Sequence, residues 1–170
     1  STYDSSLEVY WPLEEDPTGS SPQAQDRTSN ARHGASSNME SGDLIAGVVG
    51  DGWNFGGSDE RCTDTGCSFS NATLTMMCWV DVDPVTATGQ PMYVGSSSAG
   101  VGTKTRQGFQ VTSAKKVRGF YFAPNYTHIE SSGTYSDKVH LTTTLTTSAQ
   151  EVFADSSSIG TDNDTGRITE

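Results

Sequence analysis

The sequence predicts an all-β fold, a two-sheet antiparallel β-sandwich. Apolar residues recur at every second position in several segments, which is the spacing of side chains on one face of a strand. Clusters of Gly, Ser, Pro and Asp separate these segments as turn signals. No window of about a dozen residues carries the apolar period of about 3.6 residues that marks an amphipathic helix. At 170 residues and without a linker that would divide it, the chain is expected to form a single domain, 1–170.

Three segments show the alternation most clearly. In residues 7–13 the apolar side chains fall on one face, which predicts a strand. Residues 74–82 carry apolar side chains on both faces, with Met77 and Trp79 on the second, and this predicts a central strand covered on both sides. Residues 139–145 alternate between apolar and polar side chains, as expected of a half-buried strand. Shorter strands are expected at residues 90–94, 108–113, 117–122, 126–130 and 151–155.

The charge balance argues against a nucleic-acid partner, and the short apolar runs argue against a membrane. The chain has 21 Asp and Glu against 10 Lys and Arg, for a formal net charge of −11. Nucleic-acid binding needs clustered cations, and the longest cluster, Lys115, Lys116 and Arg118, is too small to provide them. No apolar run approaches the roughly 18 residues of a membrane-spanning helix, so no membrane insertion is expected. An acidic, lysine-poor surface also keeps a protein soluble in high salt, which favours a saline habitat.

The order of several motifs is similar to that of a known family. The motifs are VYWPLEE at 9–15, DRTSNARHG at 26–34, GDGWNFGG at 50–57, LTMMCWV at 74–80, VHLT at 139–142 and GRITE at 166–170. Together they resemble the concanavalin A-like, laminin-G-like domains, whose members often open on a YWPLDE strand and close on G-x-I-D-E. Thr169 departs from this pattern, because family members carry Asp there. The resemblance implies the jelly-roll form of the sandwich and a lectin-like recognition role.

No catalytic constellation is visible in the sequence. Glycosidases on such sandwiches place paired carboxylates along one strand, whereas the acids at 14–16 and 81–83 run into turns marked by Pro or Gly. No Gly-x-Ser-x-Gly elbow surrounds a serine. The three histidines lie in unrelated segments, at His33, His128 and His140. The sequence therefore predicts a protein without enzymatic activity.

Oxygen-rich loops make calcium the cofactor to consider. Ca²⁺ prefers about six to eight oxygen ligands from flexible loops, and residues 26–30 and 155–164 are rich in Asp, Asn and Ser. In the family that the chain resembles, the first loop can be held by an ion near the closing strand. The resemblance thus implies Asp26, Asn30 and Glu170 as ligands of a structural calcium. The alternative is that these residues form Asx turns and a solvated acidic loop.

The three cysteines allow one disulfide. Cys62 and Cys67 flank a polar turn that contains Gly66, so the ends of the turn can meet, and we predict a disulfide between them. Cys78 is then a buried free thiol on a core strand. The alternative, in which all three thiols are reduced, fits a protein assembled in a cytoplasm.

The aromatic residues divide into two expected groups. Sugar sites use aromatic platforms beside amide and carboxylate groups, and the candidates for such a site are Tyr93, Tyr121, Tyr126, Tyr135, Trp53 and Asn125. The aromatic residues expected in the core between the sheets are Trp11, Phe55, Trp79, Phe109 and Phe120.

These observations predict a non-catalytic recognition or structural module, a lectin-like sandwich that is extracellular or lies on a virion surface. No signal peptide is visible at Ser1–Asp4, so either it was cleaved ahead of Ser1 or an initiator Met was removed in a cytoplasm. The second option favours a turret, decoration or tail-fibre protein of a virus from a saline habitat. Its expected partners are host-surface glycans or neighbouring protein subunits, in a homo-oligomer (trimer or pentamer). The alternative is a carbohydrate-binding accessory domain of a secreted glycosidase or a cell-surface adhesin.

Overall fold

The computed structural model describes residues 5–56, 59–64, 74–83, 88–95, 106–122, 126–146 and 149–163. Within these ranges the regular elements are β-strands, apart from one turn of 3-10 helix at Ser41–Asp43, so the predicted all-β class is confirmed. The chain divides into two compact units, Ser1–Ser68 and Phe69–Glu170, and the single domain over 1–170 stays a prediction. No helix in the described ranges is long and apolar enough to cross a membrane.

The first unit holds two antiparallel strand pairs in its described part. β1 (Ala35–Ser37) pairs with β4 (Arg61–Thr63), and β2 (Leu44–Ala46) pairs with β3 (Asp51–Trp53). The turn between β2 and β3 ends at Gly50, whose φ of 69° lies in the left-handed region that favours glycine. Short strands and tight turns leave most of this unit as ordered loop.

Residues 7–13 do not form the strand that the sequence predicts. Their backbone bonds instead to a following loop. The Tyr10 N–H donates to Asp26 Oδ1 at 3.0 Å, and the Tyr10 carbonyl accepts the Arg27 N–H at 3.0 Å. Leu13 has a φ of 59°, which a pleated strand does not allow. The alternation of side chains is thus present without a neighbouring strand to complete a ladder.

The second unit contains two four-stranded antiparallel sheets in its described part. Sheet I has the order β12-β11-β10-β5 and is built from β5 (Leu74–Asp81), β10 (Lys138–Leu145), β11 (Gln150–Ala154) and β12 (Ser157–Asp162). Sheet II has the order β6-β7-β8-β9 and is built from β6 (Gly89–Gly95), β7 (Arg106–Val111), β8 (Val117–Phe122) and β9 (Tyr126–Glu130). Two antiparallel sheets are therefore confirmed, and their jelly-roll, concanavalin A-like form stays a prediction.

One hydrophobic core joins sheets I and II. Its buried members are Met76, Val82, Phe109, Val111, Val117, Val139, Leu141, Leu145, Val152 and Ala154. Phe109 and Phe120 are buried, as predicted. Thr143 is also buried, and its hydroxyl donates to the Glu151 carbonyl and accepts from Gln150 Nε2, both at 3.1 Å. The inward face of β10 is therefore apolar except for one threonine whose hydrogen bonds are satisfied.

β5 shows the predicted alternation but not the predicted position. Met76 faces the core, whereas Met77 and Trp79 are 53% and 52% exposed. Among the described strands β5 pairs with β10 alone, so it ends sheet I and is not a central strand. A period of two assigns side chains to two faces but does not reveal what covers each face. The core position that the sequence predicts for Trp79 is wrong, as it is for Phe55 of the first unit, which is 42% exposed.

Gly119 on β8 faces β11 closely enough to exclude a side chain. A Cβ at this position would meet the side chains of Val152 and Gln150. We expect Gly119→Ala to lower the free energy of unfolding by about 1–3 kcal/mol, the usual effect of overpacking a core. Gly133→Ala, where open space surrounds the missing Cβ, is the matched control and should stay within about 0.5 kcal/mol of wild type. Urea unfolding measures both variants, and equal midpoints would contradict the packing of β8 on β11.

Candidate functional site

The exposed side of sheet I is rich in aromatic and hydroxyl groups. We call it the outer face, and it consists of Thr75, Met77, Trp79 and Asp81 on β5, Lys138, His140, Thr142 and Thr144 on β10, and Glu151 and Phe153 on β11. The register of β5 on β10 pairs Trp79 with His140, Met77 with Thr142, and Thr75 with Thr144. Directly opposed side chains on neighbouring strands lie within contact distance. In the row that crosses from β5 to β10, the exposed indole of Trp79 therefore lies at the β5 end, beside His140.

Trp79 and His140 form an aromatic pair. Their ring centroids lie 5.0 Å apart and their planes are inclined by 52°. His140 is held by the neighbouring hairpin, because its N–H donates to Asp155 Oδ1 and its carbonyl accepts the Asp155 N–H, both at 2.9 Å. Asp155 and Ser156 have φ values of 47° and 66°, as in a two-residue turn that joins β11 to β12. The turn at Asp155 and Ser156 thus positions His140 beside Trp79.

The outer face combines an apolar ring with hydroxyls that have no partner among the described residues. Within the described part of the chain, no hydrogen bond engages the hydroxyls of Thr75, Thr142 or Thr144. Half of the Trp79 side chain is accessible, and a flat apolar ligand surface can stack on an indole. The surface can therefore bind a ligand that has both an apolar face and hydroxyl groups.

The charges of the outer face nearly cancel. Lys138 lies directly across from Asp81 at one end of the β5–β10 pair. Glu151 is the remaining charged side chain of the face, and it is half-buried. Neither a strongly anionic nor a strongly cationic ligand finds complementary charge there. The outer face is suited to an uncharged ligand.

Sequence reasoning missed this surface because it assigned Trp79 to the core. The signal that could have found it is the polar side of 139–145, where His140 and two threonines share one face. A strand that pairs with 74–80 in this register must place the second apolar face of β5 beside those polar groups. An aromatic residue in such a row is more accessible than one opposed by apolar side chains.

Asp26, a predicted calcium ligand, is 6% exposed and accepts four hydrogen bonds. Oδ1 accepts the N–H groups of Tyr10 and Thr28, each at 3.0 Å. Oδ2 accepts the Thr28 hydroxyl at 2.7 Å and the Arg32 N–H at 2.8 Å. Burial raises the pKa of Asp26, but the hydrogen bonds to the charged form outweigh it and hold the pKa below its ordinary value. This carboxylate therefore ties the 26–32 loop to the preceding segment.

Asn30 lies in the same loop as Asp26, but its side chain is used differently. Its Nδ2 donates to the carbonyls of Leu7 at 3.3 Å and Glu8 at 3.1 Å. Glu170, the third predicted ligand, lies outside the described residues. In the described ranges no group of three or more His, Cys, Asp or Glu side chains is arranged to hold a metal ion. The Asp26 bonds match the Asx alternative, and a structural calcium stays a prediction.

Two of the cysteines lie in the described residues. Cys62 and Cys78 carry free thiols in this structure, and Cys67 lies outside the described residues. The Cys62–Cys67 disulfide therefore stays a prediction. Burial raises the pKa of both described thiols to about 12, and the negative charge of Asp64 adds to the effect at Cys62. Such thiols form little of the reactive thiolate near neutral pH.

We expect native Cys62 and Cys78 to resist alkylation by iodoacetamide at a pH of about 8, because the thiolate is the nucleophile. Alkylation of the protein unfolded without reductant, followed by mass spectrometry, then counts the free thiols. Labels on all three cysteines would show that no disulfide is present. A single label, on Cys78, would support the Cys62–Cys67 disulfide. Rapid labelling of native Cys78 would contradict its burial.

The aromatic residues predicted for a sugar site have different environments. Tyr93 on β6 is exposed, whereas Trp53 is buried and donates its indole N–H to a backbone carbonyl at 2.8 Å. Tyr135 packs against the core of the second unit. The predicted residues whose side chains lie outside the described part are Tyr121, Asn125 and Tyr126. Trp79, which the sequence prediction did not include, is the exposed aromatic residue that lies in a row of hydroxyls.

Comparison with known proteins bears on the fold. The chain matches no model of a known protein family, and no curated protein is similar to it. Among solved structures it is similar to an S-layer domain-containing protein (residues 221–444) from Clostridium thermocellum, with a TM-score of 0.59 and 15% identity. The similarity covers 95% of this chain and 74% of that chain. At this identity it shows a shared all-β fold and does not assign an activity.

Proposed function

We propose that this protein is a non-catalytic recognition domain at the cell surface that binds neutral glycans through the outer face of sheet I. The observation that carries the proposal is Trp79, which is half-exposed, paired with His140 and close to threonine hydroxyls. Large apolar side chains exposed within a polar surface mark interaction sites. An apolar ring beside a few polar groups is the composition that sugar sites require.

The form of the outer face supports an extended ligand. Its side chains run in rows along β5 and β10 and are not enclosed in a pocket. A β-1,4-linked glycan presents flat pyranose faces along an extended chain. One sugar ring can stack on Trp79 while its hydroxyls meet Thr142 and His140. Because the charges of the face nearly cancel, a neutral chain fits better than a polyuronate.

The place of this domain is inferred from its structural similarity. A shared fold with an S-layer domain-containing protein supports a cell-surface location, in line with the carbohydrate-binding or adhesin alternative. The common core of sheets I and II supports a β-sandwich, and we propose the jelly-roll, concanavalin A-like form for it. The role on a virion gains no support from this similarity and stays a prediction.

A second candidate function is contact with a protein neighbour. Among the described strands β5 ends sheet I, and it exposes Met77 and Trp79 beside that edge. Such an edge can pair with a strand of another chain, which is one way to form the predicted homo-oligomer (trimer or pentamer). Analytical ultracentrifugation tests this function. A single species of 18.1 kDa at all concentrations would contradict it.

Affinity electrophoresis tests the glycan proposal. The protein is run in native gels that contain hydroxyethyl cellulose, xylan or glycol chitin, with alginate, a 1,4-linked polyuronate, as the anionic control. We expect at least one of the first three polymers to retard the protein and alginate to have no effect, because the outer face offers an indole but little net charge. Equal mobility in all gels, or retardation by alginate alone, would contradict the proposal.

A further inference from the structure

We propose a second binding site in the first unit, a cavity that takes a neutral polyhydroxylated ligand of monosaccharide size. The cavity has a volume of about 470 Å³ and is lined by Pro22, Asn30, Ala31, Arg32, His33 and Asp64. This volume lies in the range of about 300–1,000 Å³ typical of small-molecule sites. All six lining residues that the structure describes belong to the first unit. The inference is therefore independent of the outer face of sheet I and of the function proposed for it.

One wall of the cavity is a loop that is held in place by contacts with Asp26. The Asp26 carboxylate accepts the Arg32 N–H at 2.8 Å, and the Asp26 N–H donates to His33 Nδ1 at 3.0 Å. Between these contacts Ala31 has a φ of 53°, a left-handed conformation that alanine adopts only where its surroundings enforce it. The loop is thus held by contacts within the protein that need no ligand. A preformed loop loses little further entropy on binding, which favours affinity.

His33 supplies a hydrogen-bond donor to the cavity. Because its Nδ1 accepts the Asp26 N–H, the neutral ring carries its proton on Nε2. This Nε2–H has no hydrogen-bond partner among the described residues, and His33 is one of the lining residues of the cavity. The Asp26 contact fixes the ring, so the donor has a defined position.

Asn30 supplies an acceptor to the same cavity. Its Nδ2 donates to the carbonyls of Leu7 and Glu8. The Oδ1 atom has no partner in the part of the chain that the structure describes. Each hydroxyl of a sugar both donates and accepts a hydrogen bond. The donor on His33 and the acceptor on Asn30, both lining residues, can therefore each bond a sugar hydroxyl.

The charged residues of the cavity disfavour an ionic ligand. Arg32 and Asp64 line it together, so an anion would meet a carboxylate and a cation would meet a guanidinium. The Arg32 guanidinium also lies 3.4 Å from the Glu8 carboxylate, which compensates its charge. The cavity therefore offers polar hydrogen-bonding groups with little net charge, which favours an uncharged polyol over a phosphate, carboxylate or amine.

An NMR titration of the ¹⁵N-labelled chain tests this site. The probes are glucose, galactose, mannose and N-acetylglucosamine, with glucuronate as the anionic comparison. We expect at least one neutral sugar to shift the amide signals of 30–33 with a millimolar Kd, as for a small ligand with few contacts. Glucuronate should leave these signals in place. The mapping uses the wild-type protein, so it does not depend on whether a variant folds.

Variants separate the cavity from the outer face. His33→Ala should weaken the binding of the neutral sugar by about tenfold or more, because a donor is lost, and Trp79→Ala should leave it unchanged. If His33→Ala melts early in circular dichroism, the titration of the wild-type protein decides alone, because His33 also contacts Asp26. Three results would overturn the proposal: no shifts with any neutral sugar, shifts with glucuronate alone, or loss of binding in Trp79→Ala. Such a failure would not contradict glycan binding at the outer face, because retardation in polysaccharide gels tests that site separately.

Discussion

Replacing Trp79 with alanine should abolish the retardation by neutral glycans while the protein stays folded. Tryptophans at the centre of binding sites contribute about 2 kcal/mol or more, so the affinity should fall by about thirtyfold or more. Because the side chain is half-exposed, the free energy of unfolding should change by less than about 1 kcal/mol. Isothermal titration calorimetry with the retarding oligosaccharide measures the affinity, and urea unfolding measures the stability.

Two matched variants make this result specific to the outer face. Phe55→Ala removes an exposed aromatic side chain of the first unit and should leave the glycan affinity at the wild-type value. Trp79→Tyr keeps an aromatic ring and should retain part of the affinity. Full affinity in Trp79→Ala, or an equal loss in Phe55→Ala, would show that the outer face is not the glycan site.

Replacing Asp26 with asparagine should destabilise the first unit more than any surface substitution. Asparagine has nearly the same size, but its NH₂ group replaces one of the two oxygens. At Oδ2 it would face the Arg32 N–H, and at Oδ1 it would face the N–H groups of Tyr10 and Thr28. A hydrogen bond to a charged group contributes about 1.5–3 kcal/mol, so we expect a loss of about 3 kcal/mol or more. The fluorescence of Trp11 and Trp53, which lie in this unit, reports its unfolding in urea.

Asp16→Asn is the control for the Asp26 substitution. Asp16 also accepts a backbone N–H and a hydroxyl, both from Thr18 at 2.8 Å, but it is exposed to solvent. Water can replace the bonds of an exposed carboxylate, so this variant should lose much less stability than Asp26→Asn. Equal losses in the two variants would mean that the buried bonds of Asp26 have no special part in holding the loop.

The effect of the Asp26 substitution should depend on pH in a definite direction. The pKa of Asp26 in the folded protein lies below its ordinary value of 3.8, so folding favours the charged form. This stabilisation is complete above the ordinary pKa and is lost as the pH falls through the folded-state pKa. The stability difference between wild type and Asp26→Asn should therefore be largest near neutral pH and shrink in acid. A difference that grows on acidification would contradict the assignment.

Where one face of a strand is buried, the sequence alone predicts the structure well. In 139–145 every second side chain points into the core, as the alternation requires, and Val139 and Leu141 are fully buried. For the loop that begins at Asp26, the sequence predicts a structural ion, and the structure does hold Asp26 in specific contacts. The oxygen-rich composition suggested an ion, whereas the structure has backbone N–H groups around Asp26. Composition reveals a surplus of acceptors but not which donors will reach them.

The two main errors come from contacts that no local pattern contains. The strand predicted at 7–13 failed because its backbone bonds to the 26–32 loop, a partner that alternation cannot reveal. Trp79 was placed in the core because β5 is apolar on both faces, and only the order of strands in sheet I shows that one face is exposed. The period of a strand shows which side chains share a face. Whether that face is buried depends on which elements pack on it, and this follows from the topology.

Glycan binding at the outer face is tested most directly by a ¹H–¹⁵N NMR titration of the labelled chain with an oligosaccharide of the retarding polymer. We expect the largest shifts at the Trp79 indole N–H and at the amides of His140 and Thr142, all saturating with one Kd, because these residues are neighbours on the outer face of β5 and β10. Shifts confined to other residues, with the Trp79 indole signal unmoved at saturation, would contradict the proposed site.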